Sequence, residues 1–154
     1  MTDPNAFILK IGPAARASMQ ATGIPASFTI AEGALESAWG SSQLAAQAMN
    51  LFGVKADAAW HGDVLTMPTR EFLNGAWTVV QARWRRYSDW QGCMDDHAAF
   101  FRQNPRYKAA LACKDGPSFA RAVAAAGYAT DPQYAQKLCA IILGHNLQEW
   151  DHGA

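Results

Sequence analysis

Apolar positions recur along most of the chain at the three- and four-residue spacing of amphipathic helices, and one central stretch breaks that rhythm. Asp3-Pro4 reads as a helix start, with a side-chain acceptor at the cap and proline at the first helical position. Phe7, Ile8 and Ile11 then share a face. Pro13 is expected to end or kink this helix, and Gly23-Ile24-Pro25 to separate it from the next. In the second helix Ala31, Ala34, Leu35, Ala38 and Trp39 form one stripe, with Gly40 as the stop. Glu32 and Glu36 lie one turn apart on a neighbouring face of it.

The rhythm changes between Asp63 and Tyr87. Val64, Thr66, Thr69 and Phe72 precede Asn74-Gly75, and Trp77, Thr78, Val79 and Val80 follow it. Both turn residues tolerate positive φ, so the pattern predicts a β-hairpin. Beyond it, Ser88 or Asp89 starts a helix carrying Met94, Ala98 and Phe101, and Asn104-Pro105 reads as the cap and first position of the next. Ser118 to Ala126 predicts an alanine-rich helix stopped by Gly127. Asp131-Pro132 opens a final one with Tyr134, Leu138, Ile141 and Ile142 facing the core. With no repeat, low-complexity tract or linker, the expectation is a single domain over residues 1–154, of α+β class, mainly helical with a small hairpin lobe.

Composition narrows the function. Half of the residues are apolar and 17% are charged, which is the balance of a folded globular chain. Lys plus Arg equals Asp plus Glu at 13 each, without the basic excess of a phosphate-binding protein, so nucleic acid is not an expected partner. Arg83-Trp84-Arg85-Arg86 is the one dense basic run and reads as a solvated face. Cys93, Cys113 and Cys139 are widely spaced and odd in number, without a zinc-type spacing; three buried thiols are the expectation, with one disulfide and a free thiol as the alternative. Asp95-Asp96-His97 is expected to be an exposed, cap-like cluster, since adjacent helical residues point in different directions. Neither a metal nor a cofactor is expected. No Gly-rich phosphate loop and no Gly-x-Ser-x-Gly nucleophile elbow is present.

Glycoside hydrolysis requires a carboxylic acid that protonates the leaving oxygen, and a partly desolvated carboxyl beside another negative charge retains its proton near neutral pH. Glu36 borders an apolar stripe, precedes Trp39 and has Glu32 one turn behind it. From the residues alone it reads either as this acid or as an exposed helix glutamate, the commoner case.

The segment Ile30-Ala-Glu-Gly-Ala-Leu-Glu-Ser-Ala-Trp-Gly40, followed by Ser42, Leu44 and Asn50-Leu-Phe-Gly-Val-Lys55, resembles the bacterial glucosaminidase family, glycoside hydrolase family 73. The resemblance continues through Thr69-Arg-Glu-Phe72, Asn74-Gly75, Trp84-Arg85, Tyr87-Ser88 and Asn104-Pro105-Arg-Tyr107 to Gly127-Tyr-Ala-Thr-Asp-Pro132, Tyr134, Ala135 and Leu138. It implies a lysozyme-like fold, a helical lobe and a small β-lobe around a sugar-binding groove. It also implies hydrolysis of the β-1,4 bond after N-acetylglucosamine in peptidoglycan. Glu36 then matches the general acid of the Leu-Glu-Ser motif, Glu71 the second glutamate of the hairpin, and Tyr128 the tyrosine of Gly-Tyr-Ala-Thr-Asp. For Glu71 the plainer alternative is a solvated strand residue, and for Tyr128 a core tyrosine with a satisfied hydroxyl. Trp39, Asn50, Phe52 and Trp77 are candidates for binding sugar, against the alternative that Trp39 and Phe52 only pack the helix–loop junction. Glu32 stands where glutamine is usual, Met49 where a second asparagine is common, and Phe72 where tyrosine is usual.

The expectation is a monomeric, metal-independent hydrolase of peptidoglycan glycan strands. A lytic transglycosylase and an inactive glycan-binding module are the rivals. The first residues lack a basic-then-apolar signal pattern, and no apolar run spans a bilayer. The protein is therefore expected to be made in the cytoplasm and to reach the wall by other machinery, as a phage lysin, a secreted effector or an excised domain.

Overall fold

A computed structural model describes residues 2–152. Helix α2 (Ala26–Ser37) runs through the middle, and every residue of it except Leu35 and Glu36 is buried. Around it pack α1 (Pro4–Thr22), α6 (Gly116–Ala125), α7 (Tyr134–Gly144) and a 3₁₀ turn at Leu147–Asp151. A helix so enclosed has little room for large side chains on every side, and Ala26, Ala31, Gly33 and Ala34 let its neighbours approach. Pro25 offers no side-chain cap at its start. Asp151 supplies one from the far end of the chain, accepting from Ser27 N at 2.8 Å and Ser27 Oγ at 2.6 Å.

The proline inside α1 does not end it. The helix runs unbroken through Pro13, capped by Asp3 at one end and by left-handed Gly23 at the other. The carbonyl that Pro13 leaves without a donor belongs to Leu9, which is 68% exposed, so solvent can take the place of the missing N–H. Phe7, Ile8, Ile11 and Ala15 hold the opposite face against α2 and α4 (Trp90–Gln103).

Helix α2 ends earlier than its apolar stripe suggests. Ala38 and Trp39 take left-handed φ values of 50° and 58°, placing both outside the helix. Ser37 ties this turn together: its Oγ donates to Gly33 O at 2.5 Å and accepts from Gly40 N at 2.8 Å. Gly40 has φ 81°, and a Cβ there would sit 2.9 Å from the Phe7 ring. The short α3 (Gln43–Ala48) follows, capped by Ser42.

The hairpin forms as the sequence predicts. β1 (Val64–Leu73) pairs antiparallel with β2 (Ala76–Arg85), and Asn74 and Gly75 both have positive φ. Leu65, Met67, Thr69 and Glu71 alternate as the half-buried face of β1, while Thr66, Pro68, Arg70 and Phe72 are exposed. The ribbon is anchored at its base. Asn50 donates through Nδ2 to Val54 O and Arg85 O, both at 2.9 Å, and accepts from Val54 N at 3.1 Å. Arg85 reaches Asp96 on α4 at 2.8 Å, and the Tyr87 hydroxyl donates to the same carboxylate at 2.5 Å.

The remaining elements are a 3₁₀ turn at Pro105–Tyr107, the short α5 (Lys108–Leu111), α6 and α7. Asn104 does not cap the turn with its side chain, which donates to Phe100 O instead. Helix α7 starts two residues beyond the predicted opening, and Asp131 accepts from Gln133 N just before it. The three thiols are free, but Cys93 alone is buried; Cys113, in the loop after α5, and Cys139, on α7, are half-buried.

Candidate active site

Glu36 occupies the last turn of α2, where the chain leaves the buried interior and the side chain becomes exposed. It borders a groove of about 290 Å³ between the helical body and the hairpin. Ser42 and Leu44 of the α3 region, Leu51 and Gly53 of the following loop, and Met67, Thr69 and Trp84 of the ribbon complete the walls. The carboxyl of Glu36 is held above its ordinary proton affinity, first because the surrounding protein desolvates it and then because Glu32 carries like charge nearby; His97 opposes this. The arrangement suits a carboxylic acid that gives up a proton to a bound leaving group.

Glu32 lies behind Glu36, fully buried. Tyr128 donates its hydroxyl to Glu32 Oε1 at 2.9 Å, Tyr134 donates to Oε2, and His97 Nε2 contacts Oε1. Burial raises the Tyr128 and Tyr134 phenols far above their usual proton affinity, with Glu32 reinforcing both, so both remain neutral donors. His97 is stacked on Phe52 at 3.9 Å and 11°. These two rings, with Phe100 and Tyr128, line a second cavity of about 250 Å³, and Gly53 lines both it and the Glu36 groove.

The other sequence candidates separate. Glu71 shares the half-buried ribbon face with the groove residues Met67 and Thr69, and is ion-paired with Lys55 at 2.7 Å. Asn50 lies under the groove with its amide engaged by backbone at three points. Trp39 points elsewhere: it packs edge-on against Phe7 at 5.8 Å and His145 at 4.8 Å, in a cavity on the α1 side. Trp77 pairs with Phe72 across the ribbon and is 64% exposed, on the face opposite Met67 and Thr69.

Asp95-Asp96-His97 is not an exposed cluster. Asp95 is exposed, Asp96 braces Arg85 and Tyr87, and His97 is buried against Glu32. The sequence signal lay in the spacing: Met94, His97, Ala98 and Phe101 fill successive positions of one helix face. Phe28, Ala31 and Glu32 show the same pattern on α2, and Tyr134 heads the core stripe of α7. Thr69, Met67 and Trp84 enter the groove through ribbon register alone. No group of three or more His, Cys, Asp or Glu side chains able to hold a metal occurs among the described residues.

Residues 12–147 match the family model described as mannosyl-glycoprotein endo-beta-N-acetylglucosaminidase. The chain is 38% identical over 144 residues to the peptidoglycan hydrolase FlgJ of Salmonella typhimurium, covering 91% of this chain and 46% of that protein. It is 42% identical over 130 residues to the exo-glucosaminidase LytG of Bacillus subtilis, covering 81% and 45%. It thus spans about half the length of these relatives. The C-terminally truncated glycoside hydrolase domain of Salmonella typhimurium FlgJ superposes with a TM-score of 0.83 at 36% identity, over 94% of this chain and 98% of that one. The catalytic domain of the Listeria monocytogenes autolysin Auto does so with a TM-score of 0.86 at 29% identity, over 96% and 86%. The lysozyme-like α+β class expected from the sequence is therefore the fold observed. The chain belongs to the glucosaminidase family of glycoside hydrolases.

Proposed function

We propose that the chain hydrolyses the β-1,4 bond after N-acetylglucosamine in peptidoglycan glycan strands, with Glu36 as general acid. The observation that carries this reading is the placement of Glu36: a carboxyl on the last turn of a buried helix, at the lip of a groove closed on its other side by the hairpin. Family membership and relatives named peptidoglycan hydrolase and exo-glucosaminidase support the substrate and the bond.

In this mechanism the glycan lies between α2–α3 and the ribbon, and Glu36 donates its proton to the glycosidic oxygen. Glu71 acts from the hairpin side, held there by its ion pair with Lys55, by stabilising positive charge on the sugar or by orienting the attacking water. Tyr128 presents a neutral phenol, whose oxygen can accept a hydrogen bond from substrate or water while its O–H donates to Glu32.

Mass spectrometry of purified peptidoglycan digested by the wild type and by Glu36→Gln tests the proposal. Reducing-end N-acetylglucosamine from the wild type alone is the expected result. Reducing-end N-acetylmuramic acid would shift the bond cleaved, anhydro-muramic ends would indicate a transglycosylase, and intact glycan despite binding would leave only a binding module.

A further inference from the structure

Burying a carboxylate is costly unless its environment compensates, and Glu32 sits in the middle of the packed core. The compensation comes from three separate elements: His97 from α4, Tyr128 from the turn after α6, and Tyr134 from α7. Three donors converging on two oxygens suit an acceptor-only carboxylate. One helical turn further along α2 stands Glu36.

We propose that Glu32 is a positioning residue for the reaction: its buried carboxylate holds the Tyr128 phenol and the His97 ring at the cavity wall, and keeps negative charge one turn behind the acid Glu36. This rests on the hydrolysis reading above.

The groups that face Glu32 are His97, Tyr128 and Tyr134, with Glu36 on its own helix and Tyr107 behind Tyr128. Of these, Glu36 and His97 decide the sign of the effect. Glu32 favours the protonated form of Glu36, and His97 opposes it less strongly. Glu32 and His97 therefore form a buried pair whose two members act on the acid in opposite directions. Without Glu32, Tyr128 and His97 would lose the acceptor that fixes them at the cavity wall.

The test compares Glu32→Gln with His97→Asn. Glutamine keeps the volume and one acceptor, and a tyrosine hydroxyl can turn to accept from the new amide, so the fold has a route to persist. Two readouts are taken: kcat and KM on purified peptidoglycan against pH, and titration of the Glu36 side-chain carboxyl by ¹³C NMR, which needs no activity. For Glu32→Gln the expected outcome is a fall in kcat of roughly ten- to a hundredfold with KM little changed. The alkaline limb of the rate profile and the Glu36 titration should both move to lower pH. His97→Asn should move both to higher pH. A purely structural role would lower the amount of folded protein without moving either limb. Unmoved limbs and an unmoved Glu36 titration in both variants overturn the proposal, and if Glu32→Gln fails to fold, His97→Asn alone decides. A wild type that leaves glycan intact overturns the hydrolysis reading instead, while the NMR titration still reports on Glu32.

Discussion

The ammonium of Lys55 lies 2.7 Å from Glu71 Oε1, joining the loop after Asn50 to the ribbon face that borders the groove. Lys55 is exposed and Glu71 half-buried, so solvent screens the pair and it contributes only about 0–1 kcal/mol to stability. Its consequence is positional: it ties the Glu71 side chain to Lys55 on the groove-side face of the hairpin. Glu71→Gln should reduce kcat by about 10²-fold or more, while Lys55→Ala should reduce it less and shift the melting temperature by only a degree or two. Kinetics on glycan together with thermal melts check both. Equal activity of Glu71→Gln and wild type would remove Glu71 from the chemistry.

Glu36 couples activity to pH in a defined direction. Its proton affinity is raised by desolvation and by Glu32, so the active, protonated form persists above the usual carboxylate range and is lost as pH rises through the raised value. The same shift weakens the fold: between the unfolded and folded proton affinities the native state binds more protons, so stability falls as pH rises through that window. Glu36→Gln should lose about 10²- to 10⁴-fold in kcat. It should also be slightly more stable than wild type at neutral pH, and equal to it in acid below the window. Urea denaturation at several pH values checks the second point, and a variant less stable at neutral pH would contradict it.

Asn50 anchors the hairpin. Replacing it by alanine leaves Val54 N, Val54 O and Arg85 O without their side-chain partner inside a buried junction. The expected cost is about 2–3 kcal/mol, measured by chemical denaturation. Activity should fall even where the variant is folded, because the ribbon wall of the groove is released from the body.

The two faces of the ribbon should separate in binding assays. Trp77→Ala, on the face turned away from the groove, should leave KM unchanged. Met67→Ala, on the groove wall, should raise KM. The reverse ranking would mean that glycan runs along the outer face of the hairpin.

The cysteines give a chemical check on packing. Burial pushes the Cys93 thiol up to about 12, with Asp96 adding to the effect and the Leu51 backbone hydrogen bond opposing it. Very little thiolate is then available near neutral pH. Two thiols, Cys113 and Cys139, should react with a thiol reagent in the native protein, and Cys93 only after denaturation.

Features governed by a few adjacent residues were legible in the sequence. The Asp3-Pro4 cap and the Asn74-Gly75 turn depend on local φ preferences and on a side chain reaching one or two residues away, and both form as read. The order of helices and hairpin followed from apolar periodicity in the same way, and the motif around Glu36 was readable as a string of residue types. Tertiary packing decided the rest. Pro13 stays inside α1 because both flanks of the helix are packed and its orphaned carbonyl faces solvent. Trp39 turns away from Glu36 because two left-handed residues redirect the chain at the end of α2, a bend that periodicity does not encode. His97 and Tyr134 join Glu32 because α7 packs on α2 and the side chains of α4 reach the same stretch, bringing together residues 65 and 102 positions away. A buried carboxylate finds its partners through space, and sequence spacing carries no record of distances closed only by the packed core.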